Sequence, residues 1–173
     1  MKVITIHNKN STDFLRNNGI GILTDFKSSP NVKETLNGEF YIEFEYNCSG
    51  RYAKYLVEEN IIVSSVGYGQ RQAFRINKSK KIINNSNLYI YVYAKHISYD
   101  LADNFINDCY VQNKNGTNAL NWILQHTQFK HSFTGSSDIT ISSNARYIAK
   151  NPIQALISND DNSFINRWGR GNC

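Results

Sequence analysis

The sequence predicts an α+β protein rich in strands. A small β-barrel-like domain over residues 1–98 is followed by an α+β segment over residues 99–173. Three observations lead there. Residues 40–46 alternate, with Phe40, Ile42, Phe44 and Tyr46 on one side and Tyr41, Glu43 and Glu45 on the other, the period of a half-buried strand. Residues 88–94 are apolar on both sides, as befits the middle of a sheet or an interface. Beyond residue 100 the apolar spacing lengthens towards the helical period.

The elements follow in order. Val3 to His7 is a short first strand, and Ile20 to Thr24 a second. Asn37-Gly38 lies between two extended runs, and that dipeptide supplies the positive φ values of a type I′ hairpin turn. After the strand at 40–46, Tyr52 to Glu59 forms a short helix or an irregular connection, and Asn60 to Val66 is a β-branched strand. Gly67-Tyr68-Gly69 is a turn. Gln72 to Asn77 alternates, Lys80 to Ile83 leads into a turn at Asn84-Asn85-Ser86-Asn87, and Leu88 to Ala94 is the next strand. Leu101, Phe105 and Cys109 then fit one helical face. Thr117 caps a helix over 118–128 with Leu120, Ile123, Leu124 and Thr127 inward. Two short strands are expected near 130–134 and 138–142. Asn151-Pro152 opens a helix, because the missing proline N–H does no harm at its first position. Asp160 to Ser163 starts a last helical turn that runs through Phe164 and Trp168.

Composition narrows the classes. With 40% hydrophobic and 13% aromatic residues the chain has ample material for a core and does not read as disordered. Its net charge of +5 is spread thinly, and the densest basic run is Lys78-Ser79-Lys80-Lys81, so no nucleic-acid stripe and no specific nucleic acid is expected. Cys48, Cys109 and Cys173 show no CxxC spacing, and an odd count argues against a disulfide framework. No signal-peptide-like run opens the chain and no apolar stretch approaches membrane-spanning length, so membrane insertion is not expected.

The stretch YIYVYAKHISYDLAD, residues 89–103, holds the chemically suggestive group His96, Asp100 and Asp103. Spacings of four and three would align them on a helix as a metal or acid–base site. They lie at a strand-to-helix junction, however. Asp100 suits a helix cap there and His96 a hydrogen-bonded strand end, so both read as structural residues of a corner. His126 and His131 have no cysteine or carboxylate cluster near them in sequence. No GxSxG elbow is present, and Gly67-Tyr68-Gly69 lacks the third glycine of a dinucleotide loop. Glu43 and Glu45 could imitate a glycosidase pair, but a wet strand face explains them more simply. No catalytic residue, metal or cofactor is expected. Tyr41, Tyr89, Tyr91 and Tyr93 would crowd the outer face of two strands, and contiguous aromatic surface marks a protein–protein contact.

Taken in order, the segments LNGEFYIEFEY (36–46), ENIIV (59–63), QAFRINKSKK (72–81), YIYVYAKHISYDLADNFI (89–106), NALNWIL (118–124), NPIQALI (151–157) and DNSFINRWG (161–169) resemble the N-terminal region of the phage minor structural and tail-endopeptidase family. The resemblance runs from about residue 20 to residue 169. It implies a baseplate hub, also called tail tip or tail-associated lysin, built from small β-barrels and assembled as a homotrimer ring below the distal tail protein. Tape-measure protein would sit within the ring, and DNA would pass through it at ejection. The chain would then be a virion tail component made in the bacterial host cytoplasm and encoded by a prophage. Any peptidoglycan-cutting activity would belong to a separate C-terminal domain. In that setting the tyrosine-rich strands would form the ring surface. The sequence departs from the family pattern after Trp168, where Gly169-Arg170-Gly171-Asn172-Cys173 replaces Gly-Gly-Glu and further strands. The expectation is therefore a hub incomplete at its C-terminus. Two other readings stand beside it: a peptidoglycan hydrolase acting by itself, and a carbohydrate- or receptor-binding module that uses the tyrosine face.

Overall fold

The computed structural model describes residues 3–36, 38–66, 70–84, 87–131 and 133–169. The chain divides into two compact units, Met1–Ile97 and Ser98–Cys173.

The first unit is an antiparallel sheet of seven strands: β1 (Ile4–His7), β2 (Gly21–Ile22), β3 (Asn31–Glu34), β4 (Phe40–Asn47), β5 (Ile61–Ser65), β6 (Arg71–Asn84) and β7 (Asn87–His96). Its order is β2-β1-β5-β6-β7-β4-β3. A closed barrel is not confirmed: the order has two ends, and no strand ladder among the described residues joins them. The segment after β2 nevertheless touches both sides of the sheet. The Leu23 N–H donates to Ile4 O, and further on the Asn47 and Lys27 N–H groups exchange bonds with Asp25 O and Glu45 O.

The alternation read from 40–46 appears as predicted. Ile42, Phe44 and Tyr46 are buried in one cluster with Ile4, Ile6, Leu23, Leu56, Ile62, Phe74, Ile76, Ile90, Val92 and Ala94. A hairpin joins β3 to β4 with Glu34 opposite Phe40; Asn37 of the expected turn lies outside the described residues. Gly67-Tyr68-Gly69 and the Asn85-Ser86 tip lie outside them too. Tyr52 to Glu59 contains a 3-10 turn at Ala53–Tyr55. The alternating run at 72–77 and the lead-in to the turn at 80–83 are one strand, β6, whose register against β7 shifts between Ile76 and Lys78. The extra residue, Asn77, is a β-bulge. It reverses the alternation: Phe74 and Ile76 face the core before it, while Lys78, Lys80 and Ile82 face outward after it. A strict period of two cannot see through such an insertion.

The other face of β5 and of β6 as far as Arg75 is covered by residues 8–20, with Phe14 packed on Ile61, Val63 and Ala73. Arg71 ties that cover down, donating to Leu15 O, Asn17 O and Thr5 Oγ1. Thr5 Oγ1 also meets His7 Nε2 at 2.8 Å, and His7 is fully buried. Nδ1 of His7 finds no hydrogen-bond partner among the described residues. Gly19 sits against that ring with φ +56°, and a Cβ there would stand 2.3 Å from Nδ1, so both backbone and space demand glycine.

The second unit pairs β8 (Ile106–Lys114) with β9 (Ser143–Lys150) and packs α1 (Gly116–Gln125), α2 (Pro152–Ile157) and α3 (Phe164–Arg167) around them. Here the sequence reading needs four corrections. Residues 100–109 are not one continuous helix: a 3-10 helix, Ile97–Asp103, ends before β8 begins. Ile106, Cys109 and Val111 point inward from that strand. The four-residue spacing of Leu101, Phe105 and Cys109 imitates a helical stripe, but Phe105 is 37% exposed. The cap of α1 is Asn115, whose side chain accepts from the Asn118 N–H, and Thr117 instead bonds with Ser137. The strands expected at 130–134 and 138–142 are absent among the described residues. Asn121 exchanges hydrogen bonds with Gly135, and the Gly116 N–H donates to Ile139 O, so this segment is satisfied by α1 and needs no sheet partner. The strand lies later, as β9. Asn151 and Pro152 do open α2, with the Asn151 side chain accepting from the Ile153 N–H. Trp168 is 1% exposed; its ring stacks on Phe164 at 5.2 Å and its Nε1–H donates to Lys114 O at 2.8 Å.

Two outcomes follow. Trp168→Ala should destabilise the second unit by about 3–5 kcal/mol, read as a lower denaturant midpoint. Burial first, and the Arg71 charge second, hold the His7 pKa below its ordinary 6.5. The unfolded chain therefore takes up this proton before the folded one does. The stability His7 confers is whole above pH 6.5 and declines as pH falls below it. Urea midpoints measured at pH 7.5 and pH 5 should drop further for the native chain than for His7→Gln.

Candidate functional site

The residues singled out in the sequence fall into two groups. The first centres on His96, the last residue of β7. Its ring stacks on Phe40 at 4.6 Å and 16°, meets Phe74 edge-on, and bonds through Nε2 to Gln72 Oε1 at 3.0 Å. Asp100 and Asp103 lie in the 3-10 helix; Asp100 is half-buried and Asp103 exposed. His96 belongs to the first unit and the two aspartates to the second. No cluster of three or more His, Cys, Asp or Glu side chains suited to a metal occurs among the described residues.

His126 and His131 lie in the second unit and are engaged locally. His126 Nδ1 meets Trp122 O, while His131 meets Leu124 O through Nε2 and accepts the Phe133 N–H through Nδ1. Shallow hollows beside His131 are lined by Leu101, Asn104, Leu124, Phe129 and Phe133. Cys109 is buried against Tyr147, and burial pushes its thiol up to about 11.

The second group is the outer face of β3, β4, β7 and β6. In an antiparallel ladder, directly opposed residues share a face, so the register gives the arrangement row by row. One row reads Asn31, Glu43, Tyr93, Lys78; the next reads Glu45, Tyr91, Lys80. Above the first row stand Lys33, Tyr41, Lys95 and Arg75, and below the second Asn47, Tyr89 and Ile82. Tyrosines thus run down the middle, with carboxylates along β4 and lysines along β6. The sequence reading anticipated the tyrosines but not the lysine column, because the bulge at Asn77 conceals the parity of Lys78 and Lys80.

Contacts within this face are specific. Tyr91 Oη donates to Glu43 Oε2 at 2.8 Å, and Asn31 Nδ2 donates to Glu43 Oε1. Burial first, then the Glu43 carboxylate, raises the Tyr91 phenol to about 12. The rings of Tyr41 and Tyr93 lie 4.9 Å apart. Tyr89 does not stand in the open with the others. It is 5% exposed, because the Lys27 ammonium sits 3.6 Å above its ring while also pairing with Glu45 at 3.5 Å. The accessible aromatic surface is therefore Tyr41, Tyr91 and Tyr93, each half-buried. Glu43 and Glu45 stand side by side on this open face and do not confront each other across a cleft.

No family model matches the chain, and no curated protein matches it. A solved structure does. It is the prophage tail protein gp18 from Listeria monocytogenes EGD-e, 17% identical over 94% of this chain and 49% of that one, with a TM-score of 0.49. The chain spans about half the length of that protein. A likeness of this degree carries no argument about function by itself.

His96→Ala should destabilise the first unit by about 1–3 kcal/mol, read as a lower denaturant midpoint, through loss of the stack and of the bond to Gln72. Added zinc or a chelator should leave the native midpoint where it was. A zinc-dependent midpoint that disappears with His96 would restore the metal reading.

Proposed function

We propose that the chain is a structural component of a phage or prophage tail tip, part of a baseplate hub, acting through protein–protein contacts and without catalysis of its own. The observation that carries this reading is the ordered set of segments along 36–169 that resembles the tail-hub family. The fold gives those segments coherent places. LNGEFYIEFEY leads into and forms β4. YIYVYAKHISYDLADNFI takes the chain through β7 and the 3-10 helix to the start of β8. NPIQALI and DNSFINRWG supply α2, α3 and Trp168 around the second core.

On this reading the working form is a homotrimer in the virion tail. Its neighbours are the distal tail protein and the tape-measure protein, with no cofactor and no sequence-specific nucleic acid. No helix among the described residues is long and apolar enough to cross a membrane. A peptidoglycan-cutting activity would reside in a separate domain.

Light scattering coupled to gel filtration, across a range of concentrations, tests the reading; a mass of three copies or a multiple of three is expected. A monomer at every concentration that binds on a glycan array would replace it with the carbohydrate- or receptor-binding module. Clearing of a cell-wall suspension by the purified chain would replace it with the hydrolase.

A further inference from the structure

We infer that the outer face of β3-β4-β7-β6 is self-complementary and takes a second copy of this chain, sheet against sheet, about a two-fold axis parallel to β7. The inference stands on the register alone and does not depend on the tail-hub reading. Glu43 and Glu45 flank Tyr93 and Tyr91 on one side, while Lys78 and Lys80 flank the same tyrosines on the other. A two-fold axis along the strands exchanges the β4 and β6 columns and keeps the rows. It sets Glu43 of one copy over Lys78 of the other and Glu45 over Lys80, twice each. The same operation brings Tyr91 and Tyr93 of the two copies together along the axis. An axis across the strands would set glutamate over glutamate, so the charge pattern selects one geometry.

The lysines are available for this. Lys78 and Lys80 are exposed and form no ion pair among the described residues. The glutamates already accept bonds from Tyr91, Asn31 and Lys27 within the chain, but a carboxylate has about four lone-pair sites and retains acceptors for a partner. Packed sheets lie about 10 Å apart, within reach of a Glu–Lys pair. They also cross at about 30°, which confines close register to central rows such as these two. With strands about 4.8 Å apart and same-face rows about 7 Å apart, the patch amounts to only about 400 Å² per copy. Over both copies that is about 800 Å², below the range of stable specific interfaces, so the association is weak and depends on concentration and salt.

The test uses the full chain in sedimentation velocity from micromolar to millimolar concentration, with and without added salt. Association that salt weakens is expected. Lys78→Glu/Lys80→Glu makes the face wholly acidic and should weaken self-association at least tenfold; Glu43→Lys/Glu45→Lys, wholly basic, should do the same. Mixing the two variants should restore a pair. Should the glutamate variant fail to fold, zero-length carbodiimide coupling of the native chain decides instead, with Glu45–Lys80 and Glu43–Lys78 peptides expected from the cross-linked dimer. A native chain that is monomeric at millimolar concentration overturns the inference. So do variants that associate as the native chain does, or cross-links that avoid these four residues. A two-fold contact cannot by itself close a ring of three. A trimer indifferent to charge reversal would sink this inference and leave the tail-hub reading standing, whereas a charge-sensitive dimer with no trimer would do the reverse.

Discussion

The ladder between β6 and β7 is the interaction on which the first unit depends. It places Ile76, Ile90, Val92 and Ala94 in the core and arrays tyrosines and lysines on the opposite side. Both assignments depend on one inserted residue. Without the offset at Asn77, a β6 strand whose early part faces Phe74 and Ile76 inward would carry Lys78 to the core side opposite Val92, the place Ser79 now takes. A lysine there would be desolvated against apolar neighbours, a costly arrangement. The bulge reconciles the two halves of an otherwise incompatible strand, and in doing so it creates a face whose charge is sorted by column.

The second unit is organised by a different constraint. Its sheet has only two strands, and a two-stranded ladder is marginal in water unless something covers it. Three helices supply the cover, and Trp168 joins them to the strands by bonding the end of β8 while packing on α3. The segment between α1 and β9 is held by side-chain amides and hydroxyls of α1. That explains why so much of it can lack regular structure while its polar backbone remains satisfied.

These differences mark how far the sequence could be read. The β4 alternation, the tyrosine strand and the Asn-Pro helix start were legible because each is a local pattern with a local cause. The alternation of β6 was read only as far as Asn77 because a bulge there breaks period two. β8 was mistaken for helix because Leu101, Phe105 and Cys109 repeat at four, a spacing that fits a helix by accident when a 3-10 turn precedes a strand. β9 went unread because its inward residues, Ala145 and Tyr147, make too short an alternation to stand out. At the candidate site the tyrosines were visible, but the burial of Tyr89 was not. Its cover, Lys27, lies 62 positions earlier, between β2 and β3. Pairings across that distance leave no periodic trace.

The strand pairing also dictates when the first unit can be completed during synthesis. β1 is made first, yet its long partner is β5, with Ile4 opposite Ser64, and β4 waits for β7, with Tyr41 opposite Lys95. Ile4, Ile6, Ile42 and Phe44 therefore leave the ribosome well before the strands that bury them beside Ile90 and Val92. Only after His96 has emerged can the core close. Until then the nascent chain presents unpaired apolar strands, the condition in which chaperones bind and neighbouring chains on a polysome aggregate.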